Sequence, residues 1–212
     1  MYVTGGSGWG FTYSILNIFD PAANSWTQGP DHPIPTTSGL SGVINGKLYV
    51  YTPAAPSGAT GALHVFDPAT QRWTALTPPP RPHGGAGGVI GGQLYLVGGS
   101  YSNSAIDVYD PVTDSWSDGG RIPTARDLPA VAIDGTKLYV VGGYVPCPVQ
   151  CRYIGDVEML DVSAGSWTRL APLKIARAVP GLAVLGNRVY VVSGTVGFSG
   201  LAGDQTTSIE WF

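Results

Sequence analysis

Charged side chains are scarce in this sequence. Asp, Glu, Lys and Arg make up 12% of the 212 residues, about half the share (~25%) found in ordinary soluble domains. The 11 Lys and Arg residues are spread along the chain, and the formal net charge is −3. A nucleic-acid site or an anchor on an anionic membrane would need clustered basic side chains. The composition therefore predicts no nucleic-acid partner.

Long apolar runs are also missing from the sequence. No stretch approaches the ~20 apolar residues that a membrane-spanning helix needs, so we expect no membrane insertion. The chain opens directly on a strand-like segment, residues 1–6 (MYVTGG), without the charged and apolar regions of a signal peptide. We therefore expect either a cytosolic protein or a chain from which a leader has been removed.

Cysteine occurs only twice, as Cys147 and Cys151 in the segment CPVQC. One interpretation is a possible disulfide that closes a small loop, which would indicate a secreted or otherwise extracytoplasmic protein. The other is a pair of thiols that happen to be close. A metal site would need two further ligands, and no His lies nearby in the sequence. The sequence thus predicts no metal and no cofactor, and leaves localisation unknown.

Glycine and proline, by contrast, are abundant, with 31 and 18 copies. They fall at regular positions between apolar runs, which is typical of turns between strands. Hydrophobic residues make up 43% of the chain, enough for a packed core. This pattern predicts an all-β protein.

One short pattern recurs about every 47 residues. An apolar strand that ends in a small-residue pair occurs five times, at residues 1–6, 48–53, 94–99, 138–143 and 189–194. An Asp with a Trp six positions later follows each of the first four copies: Asp20 and Trp26, Asp67 and Trp73, Asp110 and Trp116, Asp161 and Trp167. Such self-similarity indicates a repeat architecture in which each copy is one structural unit.

The spacing within the repeat varies at one place only. From each Trp to the next strand Tyr the distance is 22 or 23 residues, whereas from each Tyr to the following Asp it ranges from 15 to 22. All length variation therefore falls in one loop per repeat. Loops that accept insertions while their scaffold stays constant commonly hold binding function.

The pattern hydrophobic-Tyr-Val-x-Gly-Gly, then Tyr/Phe-Asp-Pro, then Trp resembles the kelch repeat over essentially the whole chain. The resemblance implies a kelch-type β-propeller in which each repeat forms a blade of four antiparallel strands. The departures affect single loops: Thr52-Pro53 and Ser193-Gly194 replace the glycine pair, and Val162 replaces a Pro. We expect one propeller segment over residues 1–212, with about five blades and boundaries near residues 36, 81, 126 and 177.

The repeat begins in the second strand of the first blade and stops before the fourth strand of the last. We therefore expect 18 blade strands in sets of three, four, four, four and three, with incomplete first and last blades. This indicates a partial propeller whose missing blades or further domains belong to a longer chain. Unpaired strand edges would remain at both ends.

Strand direction predicts which loops share a face. The variable loops between the second and third strands emerge beside the segments that enter the first strands, and those segments carry Arg81, His83, Arg126 and Arg177. One interpretation, which the kelch resemblance also implies, is a ring of guanidinium groups that binds a carboxylate, a sulfate or an acidic peptide. The other is a repeat consensus in which each Arg pairs with an Asp or with backbone in a neighbouring blade.

The variable loops are rich in aromatic side chains: Trp9, Phe11, Tyr13, Tyr101, Tyr144, Tyr153 and Phe198. Exposed aromatics beside a positive site suit sugar rings or a peptide. The alternative is that they pack these long loops onto the propeller. Our predicted ligand-binding set combines the four Arg and His residues above with Trp9, Tyr13, Tyr101, Tyr144 and Phe198.

Catalytic motifs are missing, so we predict no catalytic residue. His64 lies within a strand as a structural residue, whereas His32 and His83 each precede a first strand and could be neighbours. We expect a non-catalytic module that binds a protein segment or a glycan on the face described above. The alternative is a carbohydrate-active enzyme resembling sialic-acid mutarotases or galactose oxidases, with Arg126 and Asp127 among its acid and base groups.

Overall fold

The computed structural model describes residues 1–53, 60–98, 104–145, 152–197 and 205–212. All regular elements in these ranges are β-strands, 22 in number, as the sequence predicted for an all-β protein. Within these ranges the chain forms no helix long and apolar enough to cross a membrane.

The strands follow the repeat along the chain. The first blade region holds β1 (Tyr2–Thr4), β2 (Ser7–Gly8), β3 (Phe11–Thr12), β4 (Leu16–Asp20) and β5 (Ser25–Gln28). The second holds β6 (Leu40–Ile44), β7 (Lys47–Thr52), β8 (Ala62–Asp67) and β9 (Arg72–Leu76). The third holds β10 (Gly87–Ile90), β11 (Gln93–Val97), β12 (Ala105–Asp110) and β13 (Ser115–Arg121).

The remaining strands form the fourth and fifth blade regions. The fourth blade region holds β14 (Ala130–Asp134), β15 (Lys137–Val141), β16 (Tyr144–Val145), β17 (Arg152–Tyr153), β18 (Val157–Asp161) and β19 (Ser166–Arg169). The fifth holds β20 (Gly181–Leu185), β21 (Arg188–Val192) and β22 (Ile209–Trp211).

Five antiparallel sheets form the blades. Their strand orders are β1-β4-β5, β6-β7-β8-β9, β10-β11-β12-β13, β14-β15-β18-β19 and β20-β21-β22. This gives the predicted 18 blade strands in sets of three, four, four, four and three, in a five-blade arrangement. The other four strands form two short hairpins, β2-β3 and β16-β17, between the second and third strands of the first and fourth blades. The first strands of successive blades contact one another in chain order: β6 contacts β10, β10 contacts β14 and β14 contacts β20.

Turn chemistry explains the regular strand spacing. The hairpin between β6 and β7 turns on Asn45 and Gly46, whose φ angles are +50° and +78°. A two-residue hairpin of type I′ needs positive φ at both positions, which Asn and Gly tolerate. The recurring Asp closes the turn before each fourth strand, because Asp110 Oδ1 accepts the Val112 N–H at 2.8 Å. Asp20, Asp67 and Asp161 accept equivalent bonds.

The core is divided among the junctions between adjacent blades. At the first junction, Leu16 of the first blade packs with Val50 and Phe66 of the second, and Trp73 lies against them. Three further clusters repeat this arrangement along the chain. The recurring Trp also bonds to the linker that precedes its blade, since Trp73 Nε1 donates to the Pro30 carbonyl at 2.9 Å. Apolar packing thus joins adjacent blades, and a Trp hydrogen bond adds to it at Trp73 and at Trp116, whose Nε1 donates to the Thr77 carbonyl at 2.8 Å.

Candidate functional site

The variable loops and the linkers between blades meet on one face, which we call the loop face. We define it by hairpins β2-β3 and β16-β17 and by the linkers 29–39, 77–86, 122–129 and 170–180. Backbone hydrogen bonds join loop to linker, because the Gly6 N–H donates to the Thr36 carbonyl at 2.8 Å. In the fourth blade Asp127 and Tyr144 exchange two such bonds, at 2.8 and 2.9 Å. The loops and linkers that the sequence placed together are therefore in contact.

Arg126 lies beneath this face with no exposed surface. Its Nη2 lies 2.6 Å from Oε2 of Glu158 on β18, and its Nε donates to the Thr124 carbonyl at 2.9 Å. Its Nη1 donates to the carbonyls of Gly142 and Asp156, at 3.1 and 3.0 Å. The side chain thus ties the linker to the blade that it enters.

Arg177 has the same role one blade later, and it too is completely buried. Its Nη2 pairs with Glu210 and donates to Ser208 Oγ at 2.7 Å. Its Nη1 and Nε donate to the carbonyls of Ser193 and Ile175, each at 3.0 Å. The two blades therefore share one arrangement of a buried guanidinium and a carboxylate.

The third blade replaces this Arg by His83, four residues before its first strand. His83 Nε2 lies 2.7 Å from Asp107 Oδ2, and both side chains are buried. Arg81 approaches from the edge, where it pairs with Asp107 and, at 3.2 Å, with Asp118. Burial by itself would raise the pKa of Asp107, but hydrogen bonds from His83 and Arg81 outweigh it and hold that pKa below its usual value.

The acidic partners occupy one register position on the third strand of the third, fourth and fifth blades. In the strand register Asp107 pairs with Leu96, Glu158 with Val140 and Glu210 with Val191. Each of these three apolar partners directly follows the Tyr that recurs in the second strand. The sequence analysis did not name these acids. The signal that could have found them is a charged residue inside an apolar strand, three positions before the turn Asp.

These contacts favour the interpretation in which the linker arginines pair with an acid and with backbone. An open guanidinium ring does not hold for Arg126 and Arg177, because both side chains are buried and paired within the blade they enter. His83 is likewise only 1% exposed. Arg81 keeps an exposed fraction of 30% while it pairs with Asp107. Of the four, only Arg81 presents part of its side chain to solvent.

The histidines also meet differently from the expectation that His32 and His83 are neighbours. His32 instead packs against His64, with ring centroids 4.9 Å apart, and against Trp73 at 4.7 Å. His83 is held by Asp107 of the third blade, the blade that its linker enters. The sequence pattern could not reveal this pairing, because His32 lies in a linker and His64 on a third strand, and the two meet only in the folded blade.

The aromatic residues divide into an exposed and a packed group. Trp9 is 97% exposed and Phe11 69%, and both belong to hairpin β2-β3, which Tyr13 follows at 37%. In the fourth blade Tyr144 and Tyr153 are half-buried and pack on each other, with ring centroids 6.2 Å apart. Tyr101, Phe198, Cys147 and Cys151 lie outside the described residues.

Two of the clefts in the described chain lie beside the unpaired strand edges of the first and last blades. A cleft of about 390 Å³ runs along β1 and is lined by residues 2–6, 36–41 and Val50. A second, of about 270 Å³, lies along β22 and includes Ile175, Ile209 and Trp211. In the ranges that the structure covers, no group of three or more His, Cys, Asp or Glu side chains could hold a metal ion.

The fold and the repeated contacts define a kelch-type β-propeller. The chain matches the model of the KLHDC2/KLHL20/DRC7 Kelch-repeats domain over residues 1–194, and it belongs to that family. A solved structure of YjhT superposes with a TM-score of 0.82 at 19% identity, covering 99% of this chain and 81% of YjhT. That likeness concerns the fold alone.

Curated relatives include larger kelch proteins. The chain is 26% identical to Kelch-like protein 15 of Danio rerio, over 83% of this chain and 33% of that protein. It is also 26% identical to Beta-scruin of Limulus polyphemus, over 92% of this chain and 24% of that protein. The chain thus spans a third or less of the length of these relatives.

Proposed function

We propose that this chain is a non-catalytic module that binds a segment of another protein on its loop face. The observation that carries the proposal is the exposure of hairpin β2-β3, where Trp9 and Phe11 are 97% and 69% exposed. Large aromatic side chains supply much of the energy at protein interfaces and are seldom left open without a use. The hairpin also lies in the loop whose length varies among the repeats.

The hairpin is held in place from beneath, which suits a preformed binding site. The Tyr13 N–H donates to the Gly6 carbonyl at 2.9 Å, and the Thr36 N–H donates to the Tyr13 carbonyl at 3.1 Å. The base of the hairpin is therefore bonded both to itself and to linker 29–39. A partner would meet aromatic side chains whose backbone is already ordered, which lowers the entropy cost of association.

The enzyme alternative has weaker support from the geometry. It would need Arg81, His83, Arg126 and Asp127 within reach of a sugar. His83 and Arg126 are buried, with His83 Nε2 held by Asp107 and Arg126 Nη2 held by Glu158. These contacts favour a structural role for both side chains, and they favour the binding module over a sugar-processing site.

A longer protein with additional blades is a further proposal. The outer flank of the first blade exposes Trp26 at 52%, and that of the last exposes Ile209 and Trp211 at 57% and 58%. At the internal junctions the corresponding residues are covered by the adjacent blade. Another blade would cover the same surfaces and would fill the clefts along β1 and β22.

The test of the binding proposal is a selection from a displayed random-peptide library on the immobilised chain, followed by titration of the enriched peptides. We expect Trp9→Ala and Phe11→Ala each to weaken binding about tenfold or more, as at interface hot spots. Val112→Ala is the matched control, because Val112 is 87% exposed on an Asp turn, away from the loop face. Equal affinity in all three variants would refute the proposed site. Selective binding on a glycan array would indicate that the ligand is a sugar and not a protein segment.

A further inference from the structure

Two buried imidazoles meet at the joint between the first and second blades. His32, in linker 29–39, and His64, on β8, are 2% and 7% exposed. Their ring centroids are 4.9 Å apart at an interplanar angle of 88°, and Trp73 on β9 packs against His32 at 4.7 Å. The pair therefore connects the linker to the sheet of the second blade.

The surroundings of the two rings suit neutral imidazoles better than charged ones. His32 Nδ1 lies 2.6 Å from the Ile34 carbonyl, so Nδ1 carries the proton and donates it there. His32 Nε2 and His64 Nδ1 are buried without a hydrogen-bond partner among the described residues. A proton added at either nitrogen would create a buried cation with no acceptor beside it, which is costly in an apolar site.

The third, fourth and fifth blades show which residue faces a cation of the linker at the register position of His64. His64 pairs with Val50 in the register that Asp107, Glu158 and Glu210 occupy in the third, fourth and fifth blades. Each of those acids faces an Arg or a His from the linker. In the second blade the place of the acid is taken by a second imidazole. The described part of this joint thus holds two groups that can become cations and lacks the carboxylate that would receive them.

Electrostatics act on the two rings in the same direction. Burial lowers the pKa of His32, which the hydrogen bond to Ile34 offsets only in part. Burial also lowers the pKa of His64, and repulsion from His32 lowers it further. Among the described titratable groups, no other one shifts either pKa, and Asp31, next to His32 in the chain, is exposed.

The sign of the pH dependence follows from these lowered pKa values. Between the folded pKa and the ordinary value of about 6.5, the unfolded chain binds more protons than the folded chain. The stability of the joint is therefore complete above pH ~6.5 and falls as the pH drops below that value.

The linker at this joint also anchors the exposed hairpin β2-β3. The His32 N–H donates to the Ser14 carbonyl at 2.7 Å, and the Thr36 N–H donates to the Tyr13 carbonyl at 3.1 Å. The Gly6 N–H returns a bond of 2.8 Å to the Thr36 carbonyl. If linker 29–39 moves away from the second blade, the base of the hairpin loses these three bonds.

We propose that the His32–His64 pair is an acid-sensitive joint, in which a proton taken up by either imidazole loosens linker 29–39 and the hairpin bonded to it. The inference goes beyond the binding proposal and holds whether or not hairpin β2-β3 binds a partner. Its consequence is a loop face that is ordered near neutral pH and opens locally in mild acid.

Hydrogen exchange measured by NMR tests the joint directly. The amides of Gly6, His32 and Thr36 report the three bonds, and Val97, whose N–H bonds to Ala86 in the third blade, is the internal reference. Between pH 7.5 and 5.0, after correction for intrinsic exchange, we expect local opening at the three amides to increase about tenfold for each unit by which a histidine pKa is lowered. The Val97 amide should change far less over the same range.

Substitutions at the pair separate this mechanism from general acid effects. His64→Asn places at this register the residue that the first blade has there, Asn17, and it should abolish most of the pH response. His64→Glu supplies the carboxylate that the third, fourth and fifth blades have at this register, so the response should reverse and opening should decrease in acid. His83 is present in every variant, so its own contribution cancels. The proposal is overturned if the wild type and either His64→Asn or His32→Gln show the same pH dependence at the three amides.

Discussion

Arg126 Nη2 lies 2.6 Å from Glu158 Oε2 in a place where neither side chain has more than 3% of its surface exposed. Removing two charges from water is expensive, and the pair is tolerated because the other polar atoms also have partners. The Glu158 carboxylate accepts the Thr124 hydroxyl at 2.7 Å as well. The pair therefore fixes the path of the linker into the fourth blade more than it adds net stability.

The first prediction concerns the loss of one partner of this pair. Arg126→Met removes the guanidinium and leaves Glu158 as a buried, unpaired carboxylate. We expect the free energy of unfolding to fall by about 3–5 kcal/mol, measured by urea denaturation at pH 7. Arg126→Lys should also destabilise the chain, because one ammonium cannot replace a guanidinium that binds several acceptors at once.

The double variant Arg126→Met/Glu158→Leu is the control for this prediction. It removes both charges and leaves apolar side chains of similar size, so most of the lost stability should return. If Arg126→Met unfolds at the same urea concentration as the wild type, the pair does not hold the linker as described.

The second prediction concerns the glycine pair that ends the second strand of the blade. Gly142 has a φ of +63°, and a Cβ built there would lie 2.3 Å from the Arg177 carbonyl oxygen. The linker of the next blade therefore rests directly on this glycine. Gly142→Ala should combine backbone strain with a backbone clash and cost more than ~3 kcal/mol of unfolding free energy.

Gly186→Ala separates these two effects. Gly186 has nearly the same φ, +62°, but no heavy atom lies within 4 Å of its built Cβ. We expect this variant to cost only the strain of a left-handed conformation, about 1–2 kcal/mol. Similar thermal stability in the two alanine variants would show that the next linker does not depend on Gly142.

The blade arrangement could be predicted from the sequence because its causes are local and repeated. The turn at Asn45-Gly46 and the Asp turns set strand ends by short-range chemistry, and the constant spacing to each Trp sets the register of one blade on the next. Hairpins β2-β3 and β16-β17 were not predicted. They lie in the variable loops, where no repeat constrains the backbone.

The site was predictable only in part, since its decisive contacts join residues far apart in the chain. The sequence drew attention to Arg126 and Arg177 but left open whether they form a ring at the mouth or pair with an acid or with backbone. Their partners Glu158 and Glu210 lie 32 and 33 residues away, on the third strand of the blade that each linker enters. The pairing of His32 with His64 has the same origin, since a linker and a third strand meet only after the blade has formed.

The last prediction compares two tryptophans at the same place in the repeat. Trp73 packs on Phe66 with ring centroids 5.2 Å apart and donates to the Pro30 carbonyl, at the junction of the first two blades. Trp73→Phe removes that hydrogen bond and part of the apolar contact, and we expect the unfolding free energy to fall by roughly 2–3 kcal/mol.

Trp26 is the matched comparison, because it stacks on Phe19 at 5.0 Å yet is 52% exposed on the outer flank of the first blade. In this chain Trp26→Phe should cost less than ~1 kcal/mol, since half of the ring already faces solvent. In a longer protein whose additional blade covers this flank, the same substitution should cost as much as Trp73→Phe. Urea denaturation of both variants in both chains measures the difference, and an equally small cost for Trp26→Phe in the longer protein would show that no blade packs there.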